Sequence, residues 1–349
     1  MTIQVLIVED SLVMQQMLTA FIEEQGDIKV IGTASDPFEA RELIKSLKPD
    51  IITLDVEMPL MDGITFLEKL MRLRPMPVIM VSSLTEVNAK TTLRALELGA
   101  VDFVAKPKSD GKGELSYFGT MLREKLRAAA NIEPQPARTL PKPPTAPPTI
   151  FKNSGIIAIG ASTGGTEAIK EVLARLPPNV PPVVIVQHMP EMFTQQFAKR
   201  LNDLCSLKVS EATNGERLEN GHVYIAPGNW HLRIVKTGQY FETHIDQAER
   251  VNLHRPSVDV LFRSVSENVG ARAIGVLLTG MGRDGAVGLK EMKQTGAFTI
   301  AQDQQSCVVF GMPKAAIESG CVDCVAPVDA IAARILDGLR QDSSRQEKR

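Results

Sequence analysis

No stretch of this 349-residue chain approaches the roughly 18 consecutive apolar residues of a membrane span, so a membrane-embedded protein is not expected. Charge of one sign is also missing. A formal net charge of -2 leaves no electrostatic footprint for nucleic acid. Cysteines are few: Cys205, Cys307, Cys321 and Cys324 suit a reducing compartment, hence the cytoplasm. Cys321 and Cys324 form a C-x-x-C, but no second pair completes a zinc site, and CVDCVAP alternates like a short strand. The opening MTIQVLIVED lacks a basic start and reaches acidic residues early, so no signal peptide is expected. No internal repeat occurs.

What is present is ample core, with 44% hydrophobic residues, and length enough for two domains. The boundary is Asn131–Ile150, whose seven prolines leave almost nothing to pack. The expected division is therefore residues 1–130, a linker at 131–150, and residues 151–349.

Continuous apolar runs at Val5–Val8, Lys29–Thr33, Ile51–Leu54, Val78–Val81 and Phe103–Ala105 alternate with helical patterns in the first part. Ser11 is placed to cap a helix in which Met14, Met17, Leu18 and Phe21 share a face, and Gly26 to end it. The last helix runs near Leu115–Ala130. This pattern predicts a doubly wound parallel α/β sheet covered on both faces. The second part repeats it, with strands at Ile156–Ile159, Val183–Val186, Ala273–Leu278 and Phe298–Ala301. Helices are expected at Phe193–Leu204, Ser257–Val269, Ala286–Gln294 and Ala330–Leu339. His222–Ile245, with its Pro227-Gly228-Asn229 turn, predicts antiparallel strands at one edge.

Ile156–Gly165 reads IIAIGASTGG, and Gly160 to Gly164 satisfy G-x-S-x-G. Such a strand-to-helix turn lifts the Ser162 hydroxyl above the sheet, and the next helix (Thr166–Ala174) aims its N–H groups back at it. A phosphate cradle is the rival use of this geometry. It fails twice. Ser162 stands where a dinucleotide fingerprint needs its middle glycine, and the second strand ends in Gln187-His188 without a ribose-binding carboxylate. A nucleoside triphosphate loop would need G-K-[ST], which is absent.

His188 is instead what a serine nucleophile wants, because neighbouring strand ends place an imidazole within reach as general base. His222 should lie at the opposite edge, His231 and His244 in the hairpin region, while His254 is able to approach the site. For the carboxylate partner, Asp284 in the glycine-laced loop 277–285 is preferred over Asp303. The bland reading of Asp284 is a cap for the helix at Ala286. The implied order Ser, His, Asp differs from that of α/β-hydrolases, chymotrypsin-like and subtilisin-like enzymes, so the G-x-S-x-G match does not carry those folds with it.

Glu9, Asp10, Asp55, Ser82 and Lys106 all fall at strand ends of the first part, where ligands of doubly wound sheets bind. Crowded carboxylates favour a divalent cation, and an all-oxygen set suits Mg²⁺. An Asp beside Mg²⁺, a Lys and a hydroxyl is able to accept a phosphoryl group.

VEDS, LDVEMPLMDG, MVSS and VAKP together resemble the receiver domain of response regulators, from Thr2 to about Ala130. The resemblance implies Asp55 as phosphoacceptor, Ser82 and Lys106 as phosphoryl contacts, and Glu9, Asp10, Asp55 and the Glu57 carbonyl around Mg²⁺. Where many receivers have Asp, this chain has Glu9. GASTGG, VQHMP, YIAPG, HRPSVDVLF, LLTGMGRDGA and VVFGMPKAA resemble the catalytic domain of chemotaxis protein-glutamate methylesterases, over Gly155 to about Leu339. That family implies demethylation of γ-glutamyl methyl esters, and deamidation of glutamines, on methyl-accepting chemoreceptors. It further implies a chemotaxis histidine kinase as phosphodonor and no cofactor for the ester step. Ser162, His188 and Asp284 would then be the catalytic trio, with backbone N–H groups of Met281 and Thr163 facing the oxyanion. Phosphorylation of the receiver is expected to relieve inhibition of the esterase.

Competing readings are a receiver joined to a non-catalytic binding domain, a transcription factor, and an esterase of small soluble substrates. The near-neutral, strand-rich second half opposes the transcription factor.

Overall fold

The computed structural model describes residues 2–107, 111–130, 132 and 155–346. The chain divides into two compact units, Met1–Arg138 and Thr139–Arg349. Apart from Ile132, the proline-rich linker expected at 131–150 lies outside the described residues.

The first unit runs β1 (Ile3–Val8), α1 (Leu12–Glu23), β2 (Ile28–Ala34), α2 (Pro37–Leu47) and β3 (Ile51–Asp55). It continues with α3 (Gly63–Leu73), β4 (Val78–Ser82), α4 (Glu86–Glu97), β5 (Asp102–Ala105) and α5 (Lys112–Ala129). The five strands pair in parallel in the order β2-β1-β3-β4-β5. Ser11 caps α1 as its sequence position predicts, its Oγ accepting the Met14 N–H at 3.4 Å. Leu18 is fully buried, and Met14, Met17 and Phe21 pack against the same cluster, so one apolar helix face seats α1 on the sheet. The order reverses between β1 and β3, and the carboxyl ends of these strands open onto a shared crevice there.

The second unit runs β6 (Ile156–Ala161), α6 (Gly165–Ala174), β7 (Val183–Gln187), α7 (Phe193–Leu204), β8 (Lys208–Glu211) and β9 (His222–Ile225). β10 (His231–Thr237), β11 (Tyr240–Asp246), α8 (Val258–Asn268), β12 (Ala273–Leu277) and α9 (Ala286–Gln294) follow. β13 (Phe298–Gln302), α10 (Met312–Glu318), β14 (Cys324–Ala326) and α11 (Val328–Gln346) end it. Seven strands form a parallel sheet in the order β14-β13-β12-β6-β7-β9-β8.

Two sequence expectations change here. His222–Ile225 does not join an antiparallel edge: β9 is a parallel strand between β7 and β8, buried along its whole length. The antiparallel hairpin is β10–β11 alone, forming its own two-stranded sheet against α8. Strand β8 and helix α10 escaped the sequence reading, because one is a short mixed run and the other carries Pro313 in its first turn.

Candidate active site

β6 and β7 are neighbours whose last paired residues are Ala161 and Gln187. Ser162 and His188 are therefore the next residues of two adjoining strands, and the His188 N–H donates to the Ala161 carbonyl at 3.1 Å. The glycines of the serine turn are steric requirements. Gly164 adopts φ of 76°, and a Cβ on Gly165 would lie 2.1 Å from Gln187 Oε1. α6 starts at once, the Gly165 N–H donating to the Ser162 carbonyl at 2.7 Å, so the helix N-terminus lies beside the serine.

The loop after β12 crosses directly over this turn. Ser162 N–H donates to Thr279 O at 3.0 Å, and a Cβ on Gly280 would meet Ser162 Cβ at 2.7 Å. Thr279 Oγ1 donates to the Thr163 carbonyl at 2.9 Å. Among the described residues the Met281 N–H has no protein acceptor, which leaves it available to a substrate oxygen.

Farther along the same loop, Asp284 accepts the His188 Nε2 hydrogen at 2.8 Å. The carboxylate is buried and crowded with donors: Val258 N–H at 2.7 Å, Ser257 Oγ at 2.8 Å, Asn252 Nδ2 at 2.8 Å and Asp259 N–H at 3.3 Å. It thus caps α8, while α9 is capped by Gly285; the bland expectation for Asp284 named the wrong helix. Burial acts to raise its pKa, but the hydrogen bonds from His188 and Asn252 and the His188 charge hold it well below the usual carboxylate range. Burial, reinforced by the Asp284 charge, pushes the neighbouring Asp259 carboxyl up. Asp303, the rival carboxylate, is engaged elsewhere, accepting the Ser306 N–H at 2.9 Å and its hydroxyl at 2.6 Å.

The other ring nitrogen of His188, Nδ1, is buried and has no hydrogen-bond partner among the described residues. Ser162 and His188 are thus brought to adjacent strand ends without a bond between them, whereas His188 and Asp284 are joined. An imidazole with one nitrogen anchored to a carboxylate and the other unoccupied is able to act as a base.

In the first unit, the carboxylates of Glu9 and Asp55 are buried, and Lys106 Nζ sits 2.9 Å from both. Ser82 is fully buried, its Oγ accepting from Thr92 Oγ1 at 2.9 Å. Glu9, Asp10 and Asp55 offer carboxylate oxygens within 4.8 Å of one another. Burial is the largest influence on Glu9 and Asp55 and pushes both up against the pull of Lys106. Burial pulls the Lys106 ammonium down, but its bonds to the two carboxylates leave it raised. Two buried acids with one lysine between them are short of positive charge, and a hard divalent cation fits that donor set. Glu57 follows in the loop beyond β3, which lines an open groove together with Asp10, Met58 and Asp62.

Residues 157–335 match the family described as CheB methylesterase, and residues 5–114 the response regulator receiver domain. The chain belongs to the CheB methylesterase family. It is 51% identical over 356 residues to the protein-glutamate methylesterase/protein-glutamine glutaminase of Methylobacillus flagellatus, with 99% of each chain covered. The Chromohalobacter salexigens protein of the same name is 53% identical over 334 residues, covering 95% of this chain and 93% of that one. The Thermotoga maritima CheB methylesterase catalytic domain superposes with a TM-score of 0.52 at 40% identity, covering 53% of this chain and 98% of that chain.

For this CheB-family chain, sequence reasoning singled out Ser162, His188 and Asp284, which the structure places at adjoining strand ends and in the loop beside them. It gave no part to Asn252, Ser257 and Asp259 around the Asp284 carboxylate. Ser257 and Asp259 were hidden inside a predicted helix start. Asn252 lies in a loop whose partner is 32 residues away, and no local pattern announces such a bond.

Proposed function

We propose that this chain is a phosphorylation-activated hydrolase that demethylates γ-glutamyl methyl esters, and deamidates glutamines, on methyl-accepting chemoreceptors. The observation that carries the reading is the 2.8 Å His188–Asp284 bond with a buried, unpartnered Nδ1 on the strand end next to Ser162. Ser162 Oγ attacks the γ-carbonyl as His188 Nδ1 takes its proton. The oxyanion faces the N–H groups of Met281 and Thr163, each such donor contributing about 3–4 kcal/mol. Collapse expels methanol, protonated by His188, and leaves an acyl-enzyme on Ser162. His188 then deprotonates water as its oxygen attacks the acyl carbon, and returns that proton to Ser162 Oγ as the Oγ–acyl bond breaks and the glutamate carboxylate departs. With an amide substrate the same steps release ammonia. Asp284 orients the ring and stabilises its cation throughout.

The receiver supplies control. Asp55 is the phosphoacceptor, with a chemotaxis histidine kinase as donor, and Lys106 and Ser82 contact the phosphoryl oxygens. Glu9, Asp10, Asp55 and the Glu57 carbonyl would hold Mg²⁺, which neutralises phosphoryl charge when bound. The four free cysteines suit a cytoplasmic protein, and no helix among the described residues is long and apolar enough to cross a membrane.

The test is methanol release from methylated receptor membranes, with and without a small-molecule phosphodonor. Wild type releases methanol and is accelerated by the donor. Ser162→Ala releases none, and Asp55→Asn keeps basal release without acceleration. Full activity in Ser162→Ala overturns the esterase, and donor-stimulated Asp55→Asn overturns the control.

A further inference from the structure

Val251 to His254 form a tight turn closed by reciprocal backbone bonds, Val251 N–H to His254 O at 3.1 Å and His254 N–H to Val251 O at 2.9 Å. Its two central residues, Asn252 and Leu253, have φ of 52° and 68°. Positive φ at both positions is the signature of a type I′ turn, which ordinarily takes Gly at the second of them. Leucine there is uncommon, and it is half exposed rather than anchored in a core. A left-handed pair without glycine persists where the surroundings over-determine it, and such places cluster at functional sites.

Both ends of this turn reach the hydrolytic pair. One Asn252 amide donates to Asp284 Oδ1 and to Asp259 Oδ2, each at 2.8 Å. The His254 ring stacks on the His188 ring, centroids 3.6 Å apart and planes inclined by 15°. We propose that the Asn252–His254 turn is a positioning device for the ester-cleaving site, with Asn252 setting the Asp284 carboxylate and His254 setting the plane of His188. This rests on the methylesterase reading above.

The physical case concerns rotational freedom. A single bond at Nε2 leaves the His188 imidazole free to tilt about that bond, and any tilt swings Nδ1 away from the serine. A parallel ring at 3.6 Å blocks the tilt. On the carboxylate side, Asp259 and Asp284 are two buried acids bridged by one amide. Without that amide they face each other unbridged, and Asp284 turns away from its neighbour. Neither Asn252 nor His254 is assigned a contact with the reacting carbonyl. Both are positioning residues, acting through His188 and Asp284.

The experiment compares full-length wild type, Ser162→Ala, His254→Ala, His254→Phe and Asn252→Ala for methanol release from methylated receptor membranes. Each variant is also melted and tested for receptor binding. His254→Ala and Asn252→Ala should lose about 10- to 100-fold in kcat with KM within about twofold, since misplacement penalises the chemical step. His254→Phe, which keeps a flat stacking ring, should recover most of the loss. The inference is overturned if kcat of His254→Ala and Asn252→Ala stays within about twofold of wild type. It is equally overturned if Phe at 254 is as poor as Ala, because the imidazole would then act by charge or hydrogen bonding. If His254→Ala fails to fold, the Phe variant and Asn252→Ala decide alone. Failure of the underlying reading is recognised separately, by an active Ser162→Ala.

Discussion

Asp284 and Val258 meet where a loop after one strand touches the first turn of a helix: the Val258 N–H donates to Asp284 Oδ2 at 2.7 Å, the same oxygen that receives His188 Nε2. The positive end of α8 is therefore spent on the carboxylate that holds the histidine. Packing backs the arrangement. Cβ atoms on Gly160 and Gly285 would lie 2.2 and 2.6 Å from Val258 Cγ1, so the serine strand, the aspartate loop and the helix start are locked around one side chain.

Asp284→Asn should lower kcat for methanol release by roughly 10³- to 10⁴-fold with little change in KM. The amide keeps the shape of the carboxylate but offers no charge to an imidazolium, and it favours the wrong tautomer of His188. Steady-state rates on methylated receptor membranes check this, with melting to establish that α8 keeps its seat. A loss below tenfold would mean that His188 works without Asp284.

Gly280→Ala tests the close approach of the loop to the serine. The new methyl would stand 2.7 Å from Ser162 Cβ and 2.4 Å from Met312 Sδ. Met312 is able to swing, but Ser162 is fixed by its N–H bond to Thr279. The loop must therefore lift, taking the Met281 N–H with it. Activity should fall about 100-fold while stability falls by about 1–3 kcal/mol. Methanol release and urea denaturation, run on the same preparation, separate the two effects.

The strands were legible because buried parallel strands read as unbroken apolar runs. Val183–Val186 and Phe298–Ala301 needed no context beyond themselves. Helices α7 and α9 likewise stand where their periodicity puts them. β9 was misjudged because a four-residue run carries no direction, and the antiparallel strands β10 and β11 lay next in sequence. The site was half legible. Strand-end logic singled out Ser162, His188 and the Glu9–Lys106 pocket at the ends of strands, and Asp284 in the loop that follows β12. The donors that hold Asp284 come from a turn and a helix start, and their role exists only once the fold is closed.

Gly63→Ala should disable the phosphorylation site proposed at Asp55 without touching a charged group. A Cβ there would lie 2.0 Å from the Asp55 carbonyl, and the backbone cannot yield without moving β3 or the start of α3. Overpacking of this kind costs about 1–3 kcal/mol. Donor-driven phosphorylation of Asp55 should slow sharply, while basal methanol release persists. Phosphate incorporation from a labelled small-molecule donor is the measurement, and unchanged incorporation would show that the loop adapts.

The pocket around Lys106 predicts a pH dependence of unusual sign for carboxylates. Burial raises Glu9 and Asp55 in the folded chain, against the pull of Lys106. A raised folded-state pKa contributes stability that is complete below the unfolded value, about pH 4, and is lost as pH rises through the raised one. In chelator, then, protection of β1 and β3 amides should decline as pH rises above the ordinary carboxylate range. Mg²⁺ should restore it, because the cation favours the ionised carboxylates. Lys106→Ala removes the resident counter-charge from two buried acids and should cost about 3 kcal/mol at neutral pH. Mg²⁺ should recover more stability in that variant than in wild type. Hydrogen exchange of the full-length chain, converted to opening free energies at each pH, reads all four effects. Protection that rises with pH in chelator would mean that Lys106 outweighs burial and that the two acids are already content as anions.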